Sequence, residues 1–407
     1  MKTGLPRVEL RKRLERAISG GHPWLYRDAL AAAPRLPDGA VVRVTSRSGR
    51  ALAIGFWDAR SPIAVRVIGG ADGAAAPTDL PAVVEERIAS ALARRLAVLD
   101  GGETDAFRWL HGEGDRVPGV HVDLYGAAAS LRYDGDGARA FYGACALPER
   151  LVAAAANAGI ELRTIVERLR ARGGGAAAAE ERSAVVLGAA PPPEIEIREN
   201  GLRFGVDLMR GQKGGLFLDQ RDNRARVRTL APGRRVLNLF GYTGGFSVYA
   251  AAGGARATVT VDAAAPAIAA ARRNFERNRL ATDDDRFVAG DAFDFLERAG
   301  RARERFDLVI SDPPSFVPNR RALPTGLRAY RRLHRLCAAV TAPGGTLCAA
   351  SCSSHVDREA FLTTLREGAH DAGRQVELRE VSGAGPDHPV LSQFPEGDYL
   401  KFAVVHL

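Results

Sequence analysis

Five short runs in the second half of this 407-residue chain hold side chains able to do chemistry. The first is Asn238-Leu239-Phe240-Gly241-Tyr242-Thr243-Gly244-Gly245-Phe246. Its glycines Gly241, Gly244 and Gly245 let backbone approach a ligand closely where a strand gives way to a helix. Such a loop suits a nucleotide-type cofactor, but the glycines do not follow the G-x-G-x-x-G order of a dinucleotide site, which weighs against a dehydrogenase. Asp262 ends the next apolar run, about 20 residues on, where a carboxylate accepts hydrogen bonds from both ribose hydroxyls. Asp291, in Ala289-Gly290-Asp291-Ala292, follows the third run and is placed to receive an adenine amino group. Either carboxylate alone is more often a helix cap. Their recurrence at successive strand ends makes the pattern a binding constellation.

The other two runs belong to the reacting end. Ser311-Asp312-Pro313-Pro314-Ser315-Phe316 follows a fourth apolar strand. Its prolines stiffen the backbone at the carboxyl edge of a sheet, where ligands bind in open α/β folds, so Asp312 faces the substrate and Phe316 offers a ring to an unstacked base. The competing reading is a stiff turn with no ligand. A fifth strand ends in Ser351-Cys352-Ser353-Ser354-His355, which puts Cys352 on the same edge as Asp312, with Cys348 behind it in the core. A thiolate there can attack the 6-position of a pyrimidine and make its 5-carbon nucleophilic. Otherwise the cysteine simply fills a strand end as a small apolar residue.

The elements that must position these groups alternate. After Asp219 the pattern gives strands at 236–240, 258–262, 286–289, 306–311 and 346–351. Helices fall between them from about Phe246 and at 266–278, 292–299 and 326–341. This βαβα order predicts a doubly wound, mainly parallel α/β sheet, and two further runs, 375–381 and 399–406, raise the count to seven strands with the last pair antiparallel. Ahead of this half, short β-prone runs between Ala40 and Ile68 predict a small all-β unit. The run GGADGAAAPTD reads as a linker, and residues 80–99 as a helix with arginines on the face opposite its apolar stripe. Residues 107–200 mix strands at 120–123 and 128–133 with a helix near 149–159. The GGGAAAAEE run and Pro191–Pro193 read as exposed loops.

Composition sets the outer limits. Four cysteines, none in C-x-x-C spacing, exclude a disulfide scaffold and a structural zinc site, so no metal is expected and a reducing, cytoplasmic setting is. The first residues lack a signal-peptide core, and nowhere do 18 apolar residues run together, so no membrane partner is expected. Net charge is +9, with 13 basic against 7 acidic residues in the first 80. A basic lobe of this kind attracts nucleic acid, although an Arg- and Ala-rich composition also follows from a GC-rich genome.

Taken together, Leu218-Asp219-Gln220-Arg221-Asp222, NLFGYTGGFS, SDPPSF, SCSSH and the terminal DHPV and FPEGDYLK runs resemble the RlmI-like methyltransferases. These are bacterial enzymes that use S-adenosylmethionine (SAM) to methylate the 5-position of a cytosine in 23S rRNA. His22-Pro23-Trp24-Leu25-Tyr26 and the stretch around Ile54-Gly55-Phe56 look like that family's N-terminal PUA domain, a small RNA-binding β-barrel. Glu113-Gly114-Asp115-Arg116-Val117-Pro118-Gly119-Val120 looks like its middle domain.

The resemblance implies a Rossmann-like class I fold over 201–407, an α+β middle domain over 76–200 and a PUA-like barrel over 1–75. It implies SAM bound by Phe240 to Phe246, Asp262, Asp291 and Asp312, with Gln220 and Arg221 at the methionine end. Cys352 is then the nucleophile, Asp312 a catalytic group, and Pro313, Pro314 and Phe316 line the target-base pocket. RNA, specifically 23S rRNA, is the implied partner, and a homodimer is an open possibility. The arginine-rich helix over Arg328–Arg335 is expected to grip phosphates and His334 to be solvated. Ser315 departs from the Lys or Thr common in the family, and the second cysteine of better-known RNA cytosine methyltransferases is absent. Two other functions use the same residues: methylation of an exocyclic amine, for which Cys352 is dispensable, and a non-catalytic RNA-binding or assembly role, for which a broken cofactor loop is the expected sign.

Overall fold

The computed structural model describes residues 4–71, 79–169, 182–211, 215–281 and 286–407. Most of the GGADGAAAPTD linker and the whole of GGGAAAAEE lie outside the described residues. Contacts divide the chain into two compact units. One holds 1–195, 207–214 and 386–397, the other 196–206, 215–385 and 398–407.

The first unit contains two five-stranded sheets. Strands β1 (Arg7–Glu9), β2 (Trp24–Tyr26), β3 (Val41–Thr45), β4 (Ala51–Trp57) and β5 (Ile63–Gly70) pair in the order β1-β3-β4-β5-β2, with α1 (Glu15–Ser19) between β1 and β2. A bridge between Leu10 and Leu30 brings the two edges together, so the sheet curls toward a barrel. Gly55 is required here, because a Cβ at that position would lie 2.3 Å from the Arg66 carbonyl oxygen. The second sheet, β10-β9-β8-β7-β6, is built from β6 (Ala106–His111), β7 (Val120–Tyr125), β8 (Ala128–Tyr133), β9 (Thr164–Leu169) and β10 (Arg182–Gly188).

Helices α2 (Leu80–Val98), α3 (Asp136–Ala144) and α4 (Leu147–Asn157) accompany this second sheet. Asp79 caps α2 by accepting from the Ala82 amide, and Val84, Ile88, Ala91 and Leu92 line its buried face. The arginines of α2 are not all on the outer face, as the sequence pattern suggests. Arg95 is buried, because the Asp115 carboxylate waits for it in the interior.

The second unit opens with the two-stranded pair β11 (Ile195–Glu199) and β12 (Leu202–Val206) and the helix α5 (Arg221–Leu230). Alternation follows and closes on two successive strands: β13 (Arg235–Leu239), α6 (Gly245–Ala252), β14 (Ala257–Asp262), α7 (Ala265–Arg277), β15 (Phe287–Ala289), α8 (Ala292–Arg301), β16 (Phe306–Ser311), α9 (Leu323–Val340), β17 (Thr341–Ser351), α10 (Arg358–Asp371), β18 (Glu377–Ser382) and β19 (Lys401–His406). The sheet order is β15-β14-β13-β16-β17-β19-β18.

The first five of these strands are parallel, and β19 runs antiparallel to both β17 and β18. Side chains such as Leu237, Val261, Val309 and Leu347 are fully enclosed, each contributing about 2 kcal/mol of apolar burial. Chain order reverses between β13 and β16, so the crevice beyond their carboxyl ends is the topological switch point of the sheet.

Two expectations for α9 are corrected. His334 is not solvated. It is 1% exposed, and burial pushes its imidazole down to about 4. The arginines of this helix are also not all left for phosphates, since Arg331 pairs with Asp371 and Glu367 and Arg332 with Glu297. Carboxylates on neighbouring helices answer them, which a one-dimensional charge pattern cannot reveal.

Candidate functional site: a cofactor loop and a half-open thiol at one sheet edge

The loop after β13 is held in a conformation that ordinary side chains avoid. Phe240 and Tyr242 both have positive φ (55° and 46°), a strained arrangement costing about 1–3 kcal/mol per residue. Hydrogen bonds over-determine it: Gly241 N–H donates to the Val261 carbonyl (2.9 Å), Gly244 N–H to the Gly241 carbonyl (2.8 Å), and Asn274 Nδ2 to the Thr243 carbonyl (2.9 Å). Gly241 is tightly confined, since a Cβ there would come within 2.6 Å of Thr260 Cγ2. Gly244 (φ 79°) and Gly245 then lead into α6. Phe246 stacks on Phe402 with centroids 5.9 Å apart and so serves the core beneath the loop.

Asp262 sits at the end of β14 beside this loop, half-buried. Its Oδ2 accepts from the Tyr242 amide (2.8 Å) and its Oδ1 from the Ala264 amide (2.8 Å). A carboxylate has about four acceptor positions, so capacity for a diol remains. Asp291 is exposed after β15 and caps α8, with Oδ1 accepting from the Phe293 and Asp294 amides.

Asp312 leaves β16 half-buried, and its Oδ2 accepts from Gln220 Nε2 (3.0 Å). The amide of Gln220 is held in turn: Asn223 Nδ2 donates to Gln220 Oε1 (2.6 Å), and Ser382 Oγ donates to Asn223 Oδ1 (2.7 Å). A relay of neutral groups therefore aims Asp312. Arg221 is 1% exposed and lies 3.4 Å from Asp222, while Asp219 accepts from the Tyr399 hydroxyl (2.6 Å).

Pro313 is buried, Pro314 is exposed, and Phe316 is half-buried with its ring leaning on Tyr330 at 4.8 Å. Next along the edge, Cys352 follows β17, whose Ala349 is registered with Ser311. Of the four cysteines it alone is partly exposed. Burial pushes the thiols of Cys337 and Cys348 up to about 12 and raises that of Cys145.

Four residues at this edge, Ser351, Ser353, Tyr330 and Lys401, carry weight that the sequence reading missed. Ser353, directly after Cys352, shares hydrogen bonds with Ser315 Oγ (2.8 Å) and the Tyr330 hydroxyl (3.0 Å), and Ser351 Oγ donates to that same hydroxyl (2.9 Å). The loops after β16 and β17 are thus tied by hydroxyls, with Ser315 as one knot. Lys401, 3% exposed at the start of β19 and registered with Ser351, donates to the carbonyls of Ser353 and Tyr399, both at 2.8 Å. Burial lowers its ammonium to about 8, while Cys352, Asp398 and Asp357 pull it upward and Arg358 downward. A lysine opening the apolar run Phe402–Val405 was the visible signal.

The motifs of the first unit also converge. Trp24 Nε1 donates to Glu113 Oε1 (2.6 Å), Trp24 packs edge-on to Phe394 (4.6 Å), and Arg95 reaches both Asp115 and the Asp387 carbonyl (2.7 Å). The HPW, GEGD, DHP and FPEG runs are therefore one buried cluster.

A seven-stranded doubly wound sheet with a glycine loop and carboxylates at its switch point defines a class I SAM-dependent methyltransferase. The model of the S-adenosylmethionine-dependent methyltransferase family matches residues 144–390, and that of the PUA-like domain matches 8–69. The chain is 37% identical to a ribosomal RNA large subunit methyltransferase of Deinococcus radiodurans and 35% identical to ribosomal RNA large subunit methyltransferase I of Salmonella arizonae. Each match spans 97% of this chain and 96% of the relative. Two solved structures share the fold at a TM-score of 0.83 and 24% identity, over 99% of this chain and 100% of theirs. One is a Streptococcus mutans protein assigned as a SAM-dependent methyltransferase, the other a protein complexed with SAH. The chain belongs to the ribosomal RNA large subunit methyltransferase I family, with SAM as its cofactor.

The donor set at the switch point fits that cofactor. Backbone amides and glycines line the loop, Asp262 can take a ribose diol, and the carboxylates match the positive ammonium and sulfonium of SAM.

Proposed function

We propose that the chain forms 5-methylcytosine in 23S rRNA through a covalent adduct on Cys352. The observation that carries this reading is one half-exposed thiol at the end of β17, the strand paired with the one that Asp312 follows, on the same sheet edge as the glycine loop, with the other three thiols buried. Bound SAM supplies an electrophilic methyl group. The Cys352 thiolate adds to C6 of a flipped-out cytosine, and the displaced ring electrons give C5 the density to take that methyl. Loss of the C5 proton then lets the C6–S bond break, which restores the ring and frees the thiolate. In this scheme Asp312, aimed by Gln220, contacts the base; Gln220 and Arg221 border the methionine end; Pro314 and Phe316 shape the base pocket; and Asp291 meets adenine.

We assign RNA capture to the PUA-like domain over 1–75, with the α+β domain over 76–200 and the catalytic domain over 201–407. The PUA-like match to 8–69 and the separate five-stranded sheets support this division. Free cysteines, and the lack of any helix among the described residues long and apolar enough to cross a membrane, support work in the cytoplasm. The test is transfer of labelled methyl from SAM to ribosomal RNA of a strain lacking the protein, with the product nucleoside identified. Wild type should yield 5-methylcytidine, and Cys352→Ala should lose on the order of a thousandfold or more in rate. A methylated purine, or full activity without Cys352, overturns the mechanism in favour of amine methylation.

A further inference from the structure

The reaction needs a thiolate, whereas an ordinary cysteine is mostly protonated at neutral pH. Ionised cysteines occur beside a fixed positive charge in a partly desolvated setting, where Coulomb attraction is screened less than in water. Lys401 offers that charge. Its stem rises from the first residue of β19, opposite Ser351 on β17, and its amine is tied by two hydrogen bonds, one of them to the carbonyl of Ser353, the residue that follows Cys352.

We propose that Lys401 is a positioning residue of the active site, whose buried ammonium holds Cys352 as a thiolate and whose bond to Ser353 fixes the loop that presents it. The inference rests on the reading of Cys352 as the nucleophile. Three observations support it independently of one another. Lys401 is 3% exposed, and a lysine this deep is retained only where its charge is answered. Its partners in hydrogen bonding are two neutral carbonyls, so the compensating charge comes from elsewhere. The groups that interact electrostatically with it are Cys352, Asp398 and Asp357, opposed by Arg358, and Cys352 leads them.

Tyr330 also interacts with Cys352; its hydroxyl is buried, raised chiefly by that burial, and engaged with Ser351 and Ser353. Ionisation of Cys352 releases its proton to solvent and leaves a negative sulfur that the Lys401 charge attracts. The ammonium itself titrates near 8, so the pair is intact at neutral pH and is lost as pH rises above that value.

The test is the pH dependence of Cys352 alkylation by iodoacetamide in the full chain, read by mass spectrometry of the labelled peptide. The buried Cys145, Cys337 and Cys348 serve as internal controls. In the wild type the alkylation midpoint should lie below the ordinary thiol value of about 8.5. Lys401→Met, which keeps the stem and removes the charge, should move it up by about one pH unit, cutting the rate at pH 7 about tenfold. Lys401→Arg should restore most of the loss.

A wild-type midpoint at or above about 8.5 overturns the proposal even if Lys401→Met fails to fold. An unchanged profile in a folded Lys401→Met does the same. Parallel methyl-transfer assays of Cys352→Ala keep the two ideas apart. If that variant stays active the nucleophile reading falls, while the alkylation profile still decides what Lys401 does to the thiol. If it is inactive and Lys401→Met alkylates like wild type, the Lys401 role alone falls.

Discussion

Both units bury an ion pair, Arg95 with Asp115 in the first and Arg224 with Glu199 in the second, but they hold their motif carboxylates differently. In the first, arginines and carboxylates go deep and close on each other: Arg66 (2% exposed) meets Glu113 and Asp134, and Arg95 (1%) grips Asp115 with two parallel bonds of 2.6 Å. Around them His111 and His121 are kept neutral, their imidazoles pushed far down mainly by burial and then by neighbouring positive groups. In the second unit the carboxylates that matter, Asp262, Asp291 and Asp312, stay half-buried or exposed and accept from amides. A closed ion pair has spent its charge on folding. Asp262 and Asp291, steadied by backbone amides, still carry theirs toward the sheet edge. The contrast separates motif residues that build the scaffold, such as Glu113 and Asp115, from those proposed to meet cofactor and base.

The largest effect is expected where an ion pair is broken. Arg95→Met leaves the buried Asp115 with one ionic partner, the half-exposed Arg94, beside the His111 amide. That should cost about 4 kcal/mol in denaturant unfolding of the first unit. Binding of SAM to the folded variant should be unaltered. A loss under 1 kcal/mol would erase the distinction drawn here.

A smaller effect sharpens the comparison from the other side, because the second unit buries a titratable group without an ion pair. His334 is enclosed, with Thr364 Oγ1 3.4 Å from its Nδ1. Its pKa is depressed to about 4 in the fold, so its stabilisation is complete above the unfolded value of 6.5 and is lost as pH falls from there through 4. Between pH 7 and 4 the wild type should therefore lose about 3 kcal/mol more than His334→Gln. Parallel pH profiles for the two proteins would refute this.

The smallest effect concerns a carboxylate kept for ligand. Asp262→Asn should weaken SAM binding by calorimetry about tenfold, or about 1.4 kcal/mol, with stability changed by less than that. If stability suffers more than binding, Asp262 belongs with the scaffold carboxylates after all.

Local pattern was enough to read the sheet. Runs such as Leu308–Ile310 and Leu347–Ala350 are fully buried in parallel strands and therefore read as continuous apolar stretches, and the helices between them keep a 3.6-residue rhythm. The glycine loop and the carboxylates after β14, β15 and β16 were legible for the same reason: topology places strand ends together whatever the side chains do. The short strands β1, β2, β11 and β12 were not, since three to five residues carry too little periodicity.

The sequence by itself determined the α/β alternation, the place of the glycine loop after β13 and that of the cysteine after β17, because these follow from spacing along the chain. Only the tertiary structure decided which charges are spent and which are kept. Arg95, His334 and Lys401 look like surface residues in one dimension. Each became interior because a partner distant in sequence, Asp115, Thr364 or the backbone around Cys352, met it there. Burial and pairing are properties of neighbours in space, and no local pattern encodes them.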